Sequence, residues 1–314
     1  MIINNQATEL SIIICTYNRA QMLNDVLKSF SAQQPVPDIT FEIIIVDNNS
    51  VDNTRNVVEQ WQSQDAYPMH YFLEKKQGSS NARNRAVSEA KGTWLWFLDD
   101  DIYIDNNWLQ GVADIFRDYP DAMAVAGKIT LDFEKPEPEW LPDIAYNYYG
   151  QTRFGDQPRL LIRGQYPIAA NAAIKRDVFD HIGLFSIDLG RIGNSLISWD
   201  ETEFFMRLHQ SGGQVVYTPH AMVRHRITNK RLTKLWLIRR VFNDGISQVI
   251  AESKNITRNR KELYYCAMDR LRFIFKGFYN LQFSFAHQLK YIKVFGCFQQ
   301  YLVYAIKGNM RKQQ

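Results

Sequence analysis

The feature that most constrains the fold is a change of hydrophobic period that recurs through roughly the first 130 residues. Apolar runs rich in β-branched residues at 10–15 and 41–46 read as strands buried on both faces. Further strands are predicted at 69–73, 93–98 and 123–127. Between them the spacing becomes helical, as in Met22, Leu23, Val26, Leu27 and Phe30, with other helices expected over about 52–62, 82–90 and 107–116. Strands alternating with helices predict an α/β fold, a mostly parallel sheet flanked by helices. Ligands bind such sheets beyond the carboxyl ends of the strands. Three of the predicted strands run there into polar text: Thr16-Tyr17-Asn18-Arg19, Asp47-Asn48-Asn49-Ser50 and Asp99-Asp100-Asp101.

The remaining chain changes character twice. Residues 132–166 carry Pro136, Pro138, Pro142 and Pro158 among Trp140, Tyr146, Tyr148 and Tyr149, which reads as a long irregular insertion over the site. A buried stretch near 167–174, a helix over 200–210 and a strand near 214–217 follow. From Arg224 the text turns basic and helical. Residues 1–223 carry a formal charge of −11 and residues 224–314 one of +15. That asymmetry points to an anionic surface as partner: phospholipid, a lipid phosphate or nucleic acid. The expected organisation is a domain over 1–226, with a nucleotide half to about 130 and an acceptor half over about 131–226, then a helical basic segment over 227–314.

Three scattered cysteines, Cys15, Cys266 and Cys297, offer neither a disulfide framework nor metal-ligand spacing and fit a reducing compartment. The opening MIINNQATEL lacks the basic and apolar regions of a secretory leader, and no run reaches the roughly 18 apolar residues of a spanning helix. The expected location is cytoplasmic, including a peripheral place on the inner face of the membrane.

The acidic triplet leaves the apolar run Trp94-Leu95-Trp96-Phe97-Leu98 at its carboxyl end. If strand geometry continues, Asp99 and Asp101 project to one side and can hold a divalent cation, which neutralises a diphosphate. A solvated acidic turn is the alternative. SIIICTYNRAQML, EIIIVDNNSVDNT, GSSNARNRAV, WFLDDD, NAAIKRDVFDHIG and WDETEF occur here in one order. In that series, from about residue 10 to about residue 226, the chain resembles the family 2 glycosyltransferases of the GT-A fold.

The resemblance implies an inverting, metal-dependent transfer of sugar from a nucleoside diphosphate donor to a hydroxyl acceptor, in polysaccharide or glycolipid synthesis. It implies Thr16, Tyr17, Asn18, Arg19, Asp47 and Asn49 around the nucleoside, with Arg83, Asp99 and Asp100 toward the rest of the donor. Arg83 is preferred to Arg85 on the same helix. Asp99 and Asp101 would hold Mn2+ or Mg2+ with His225, which fits the family's position better than His220. The general base falls on Glu201 by position, with Asp200 as the alternative, because this chain has Asp-Glu where many members have Glu-Asp. Ser198 with Glu201, or Asp200 with Glu203, equally fits a helix-capping box. Asn171 and Trp199 are expected on the acceptor side, with Ala170 where relatives often have glycine.

A sugar-phosphate nucleotidyltransferase would use a similar sheet but needs a glycine-rich loop after the first strand, and Cys15-Thr16-Tyr17-Asn18-Arg19 contains none. Dinucleotide oxidoreduction fails likewise for want of G-x-G-x-x-G. A non-catalytic glycan-binding protein on the same fold is opposed by the intact Asp99, Asp101 and Glu201. The expected partners are a nucleotide sugar of UDP or dTDP rather than GDP type, a glycan or lipid-linked acceptor and an anionic membrane surface. Nucleic acid has no role at such a site, and homo-oligomerisation stays open. In the basic segment, Leu235, Trp236, Phe242, Ile246, Val249 and Ile250 fall on one helical face, with Arg239 inside its arc and so in need of an anionic partner. The aromatics Phe273, Phe275, Phe278, Tyr279, Phe283 and Phe285 before Lys290 and Lys293 suit a bilayer interface.

Overall fold

The computed structural model describes residues 9–37, 39–255, 259–278 and 284–307. The chain divides into two compact units, each drawn from separate stretches. The first comprises Met1–Asp132, Gly150–Phe185 and Phe204–Arg226, and the second Phe133–Tyr149, Ser186–Glu203 and Ile227–Gln314.

The first unit is built on one sheet. Strands β1 (Leu10–Thr16), β2 (Phe41–Asp47), β3 (Met69–Leu73) and β4 (Trp94–Asp99) run parallel in the order β3-β2-β1-β4. The helices α1 (Ala20–Ser31), α2 (Thr54–Gln62) and α3 (Ser79–Glu89) fill the crossovers, as the alternating periods predict. Beyond β4 the sheet turns antiparallel through β8 (Asn171–Lys175) and β6 (Ala124–Phe133). Outside them lies β9 (Val215–Ile227), paired with the short β5 (Ile102–Ile104) and β7 (Arg159–Leu160). The sheet is therefore mixed, parallel in its N-terminal half.

Because side chains alternate along a strand, each sheet face has its own core. Ile12, Ile14, Ile43, Ile45, Trp96 and Leu98 meet Leu23, Val26, Leu27 and Phe30 of α1, with Leu109, Val112 and Ile115 of α4 (Trp108–Asp118). Ile13, Ile44, Val46, Leu95 and Phe97 meet Ala82 and Ala86 of α3 on the other face. Val178 and Phe179 of α5 (Arg176–Ile182), with Phe204, Phe205 and Leu208 of α6 (Asp200–Gln210), complete that second core. Burial on both faces explains why the strands read as unbroken apolar runs.

The second unit holds α7 (Lys234–Asn255), α8 (Arg260–Phe278), α9 (Phe285–Lys307) and a 3-10 turn over Asp143–Tyr149. Val249, Leu263, Ala267, Cys297 and Tyr301 form its core. Helices α7 and α9 cross at two glycines: a Cβ on Gly245 would overlap the Lys293 carbonyl, and one on Gly296 the Phe242 carbonyl. This crossing corrects the expected face of α7. Leu235 is 58% exposed and Arg239 is exposed, so Arg239 needs no buried anion. Besides Gly245 the buried positions are Leu237, Val241, Asp244, Ser247, Val249 and Ala251. Backbone contact at Gly245 turns Asp244 and Ser247 inward, which a count of apolar residues scores against. Of the interfacial aromatics, Phe273 and Phe275 are exposed, Phe285 is half-buried, and Tyr279, Phe283 and the Phe278 side chain lie outside the described residues. No described helix is long and apolar enough to cross a membrane.

Candidate active site

Strand register brings the three polar exits together. Thr16 lies opposite Asp47 on β2, and Cys15 lies opposite Asp99 on β4. Thr16 Oγ1 donates to Asp100 Oδ2 at 2.8 Å. Arg19 Nη1 reaches both Asp100 Oδ1 at 2.6 Å and Asp101 Oδ2 at 3.0 Å. The Asp100 carboxylate, joined by Asp101, holds the half-buried Arg19 guanidinium in its charged form, well above the usual arginine range despite its partial desolvation. Burial pushes Asp100 above the ordinary carboxylate range, while Arg19 and Thr16 act against that shift.

The turns beside these residues are held by asparagines in the left-handed region, with φ 51° at Asn18 and 67° at Asn49. Asn18 N–H donates to Ser50 Oγ, and Val51 N–H to Asn18 Oδ1, both at 2.8 Å, so the first and second exits are laced together. Tyr17 remains 38% exposed over this edge, open to a ring. Asp47 is buried; its Oδ1 accepts from Ser50 N–H and its Oδ2 from Tyr71 Oη, each at 2.8 Å.

Tyr71 and Asn48 were not singled out in the sequence. Tyr71 pairs with Ile45, two residues before Asp47 on the same sheet face, and only strand register reveals this. Burial and then Asp47 push the Tyr71 hydroxyl far above the ordinary tyrosine range, so it stays a donor to Asp47. Asn48 Oδ1 accepts from Gly78 N–H at 2.7 Å, and its Nδ2 donates to Lys76 O at 2.7 Å, so it moors the loop that opens α3. On α3, Arg83 Nη2 stands 3.7 Å from Asp99 Oδ1, whereas Arg85 is taken by Glu89 at 2.7 Å.

The acidic triplet departs from the expected alternation. Strand β4 ends at Asp99, and the next two residues turn, so Asp100 and Asp101 share Arg19 while Asp99 faces Arg83. Asp101 finds a different neighbour. Ile102 pairs with His225 across β5 and β9, and Arg226 N–H donates to Asp101 O at 2.8 Å. This register sets His225 Nε2 3.2 Å from Asp101 Oδ1, both residues buried, whereas His220 is exposed. Two donors about 3 Å apart match adjacent ligands on an ion with bonds of about 2.1 Å. Among the described residues no cluster of three or more His, Cys, Asp or Glu offers a complete protein cage. An oxygen-nitrogen pair of this kind fits an ion whose other ligands are substrate phosphates and water.

Asn171, expected on the acceptor side, lies inside the sheet. It is fully buried: its Oδ1 accepts from Trp96 Nε1 at 2.9 Å and Trp108 Nε1 at 3.2 Å, and its Nδ2 donates to Lys128 O and Ala221 O. Its amide ties β8 to the strands around it and has no capacity left for substrate.

In the second unit, α6 begins at Asp200, so Trp199 and not Ser198 precedes the helix. Ser198 Oγ instead accepts from Arg240 Nη1 at 3.1 Å, which argues against a Ser198–Glu201 capping box. Asp200 is buried and Glu201 half-buried in the first helical turn, where the helix dipole favours carboxylates. Trp199 is half-buried, with its indole N–H donated to Asp244.

The motifs and this strand-end site together define a sheet whose parallel strands end in an acidic rim. The model of the family described as glycosyl transferase family 2 matches residues 11–183, and the chain belongs to that family. It is a glycosyltransferase of GT-A fold, an enzyme of glycan or glycolipid assembly. It is 27% identical over 249 residues to the glucosyl-dolichyl phosphate glucuronosyltransferase of Haloferax volcanii, covering 78% of this chain and 77% of that one. The succinoglycan biosynthesis protein ExoM of Rhizobium meliloti is also 27% identical over 249 residues, covering 77% of this chain and 74% of its own length. Among solved structures, the mannosyltransferase PcManGT from Pyrobaculum calidifontis, in complex with GDP-Man and Mn2+, has a TM-score of 0.59. That likeness covers 99% of this chain and 89% of the other at 16% identity, and is one of fold.

Proposed function

We propose that this glycosyltransferase moves a sugar from a nucleoside diphosphate donor to an acceptor hydroxyl with inversion at C1, using Asp101 and His225 at a divalent cation and Glu201 as base. The observation that carries the proposal is the buried Asp101–His225 pair, 3.2 Å apart at the carboxyl end of the parallel strands. The donor base lies against Tyr17, and Asp47, already oriented by Tyr71 and Ser50, accepts from a base N–H. A uracil or thymine ring supplies such an N–H at N3, and we assign the donor as a UDP- or dTDP-sugar. Arg83, beside Asp99 at 3.7 Å, faces the diphosphate or the sugar attached to it.

A bound Mn2+ or Mg2+ supplies positive charge to the departing diphosphate. The acceptor oxygen attacks C1 from the face opposite the leaving group. As the new C1–O bond forms, the bond from C1 to the diphosphate oxygen breaks, its electron pair leaves with the nucleoside diphosphate, and the acceptor proton passes to Glu201. Asp200, the neighbouring acid, is the alternative base.

The name of the Haloferax volcanii relative contains a lipid-linked sugar phosphate. Helix α8 favours a lipid surface here as well: Lys261, Tyr264, Tyr265, Arg272 and Phe275 are all exposed and lie within one arc of the helix. We assign that stripe to an anionic membrane carrying the acceptor.

The test is release of nucleoside diphosphate from a panel of UDP-, dTDP- and GDP-sugars with Mn2+, Mg2+ or EDTA. Release from a uridine or thymidine donor that EDTA abolishes is expected. Release that persists in EDTA removes the cation from the account, and preference for a GDP-sugar overturns the donor assignment.

A further inference from the structure

Among the described residues four that are not glycine have positive φ: Asn18, Asn49, Asp65 and Trp199. Asparagine and aspartate visit the left-handed region readily, but a tryptophan at φ 73° is an outlier that its surroundings must enforce. It stands immediately before Asp200 and Glu201, and its carbonyl accepts the Glu203 N–H at 2.8 Å in the first turn of α6.

The enforcing contacts come from α7 and α9. Trp199 Nε1 donates to Asp244 Oδ1 at 2.8 Å, and Lys293 Nζ lies 5.4 Å from the centroid of the Trp199 ring. The same ammonium holds Asp244 Oδ2 at 2.8 Å. Arg240 Nη1 stands 3.7 Å from Asp244 Oδ1 and donates to Ser198 Oγ, while Ser198 N–H donates to Ser247 Oγ at 3.0 Å. Two consecutive residues, Ser198 and Trp199, are thus clamped by three side chains of α7 and one of α9. The glycine crossing at Gly245 and Gly296 is what allows Lys293 to reach Asp244. Burial works against the Lys293 ammonium, but Asp244 outweighs it and holds its affinity for the proton above the ordinary lysine value. An ion pair on a buried carboxylate is a weak source of stability and is better understood as a device that fixes one arrangement.

We propose that Asp244, held by Lys293, is a positioning residue for the transfer: by binding the Trp199 indole it fixes the left-handed backbone that sets Asp200 and Glu201 at the start of α6. This role rests on the proposal that one of those acids is the base. Asp244 touches neither substrate nor reacting atoms. Its effect belongs in turnover, because a base displaced by an ångström loses rate steeply.

The test uses the full chain and a double-mutant cycle. Removing Asp244 alone strands the half-buried Lys293 ammonium, so the variant is D244L/K293M, which removes the acceptor together with its closer cation; Arg240 keeps its bond to Ser198 Oγ. It is made both with Trp199 and with W199G, since glycine adopts positive φ without strain and needs no clamp. Turnover is measured with the nucleotide sugar that the donor panel selects. With Trp199 in place kcat should fall about 10-fold or more and donor KM should stay within about 2-fold, and in the W199G background the fall should shrink below about 3-fold. An equal fall in both backgrounds, or none in either, overturns the positioning role.

A second readout needs no substrate. In the indole region of the 1H–15N spectrum, the Trp199 resonance, assigned by its loss in W199F, should shift and exchange faster with solvent in D244L/K293M. An unmoved resonance also overturns the proposal. If E201Q and D200N both retain full turnover while the resonance moves, the clamp exists but the assignment of the base has failed, so the two failures are separable.

Discussion

Asn171 shows how a polar residue on a buried strand can imitate a ligand-binding one. Its surroundings in the sequence resemble an acceptor site, yet its amide satisfies two indole N–H groups and two carbonyls. Asn171→Ala should therefore cost roughly 2–4 kcal/mol in urea unfolding, because buried polar groups are left unpaired. An unchanged midpoint with a raised acceptor KM would return Asn171 to the acceptor side. Asp101 is the opposite case, a residue that we assign to a cation from its type, its place in the text and its distance to His225. Asp101→Ala should abolish transfer and remove the enhancement of nucleotide binding by Mn2+, read by calorimetry with and without the ion. Undiminished turnover would exclude Asp101 as a ligand. Local text supplies residue types at strand ends, so Asp47, Asp101 and His225 were legible. It is silent on register, which is why Tyr71 on Asp47 and Arg19 on the Asp100–Asp101 pair were not.

At the scale of elements, strands buried on both faces and the helices between them were legible because their periods differ so clearly. Strand β9 was not fully so. The apolar run stops at Tyr217, and Pro219 and His220 suggest a turn, but the strand continues to Ile227 with Ala221, Val223, His225 and Ile227 buried in alternation. The pairing with β5 that carries His225 to Asp101 lies in this second half. Helix α7 misled for a related reason, since its inward face is chosen by the glycine crossing and not by its apolar content. Gly245→Ala should push α7 from α9 and destabilise the protein by about 1–3 kcal/mol in urea unfolding. A wild-type midpoint would show that the helices do not meet there.

Over the whole molecule, charge divides at residue 224, but the compact units do not follow the linear order. Residues 133–149 and 186–203 belong with the C-terminal helices, so the acidic pair is built in the same unit as the basic segment. Truncating that segment would strip Ser198 and Trp199 of their partners, and surface reversals test docking more cleanly. The full chain should co-sediment with vesicles containing anionic phosphatidylglycerol, less so at high salt, and K261E/R272E should weaken this markedly. A chain that stays in the supernatant at low salt would contradict the membrane assignment. The central claim is that an acid at the start of α6 takes the acceptor proton. It is tested most directly by the rate of sugar transfer in Glu201→Gln beside its melting temperature. A loss of about 100-fold or more in kcat at an unchanged melting temperature is expected; retained turnover, or a loss matched by a fall in stability, would contradict it.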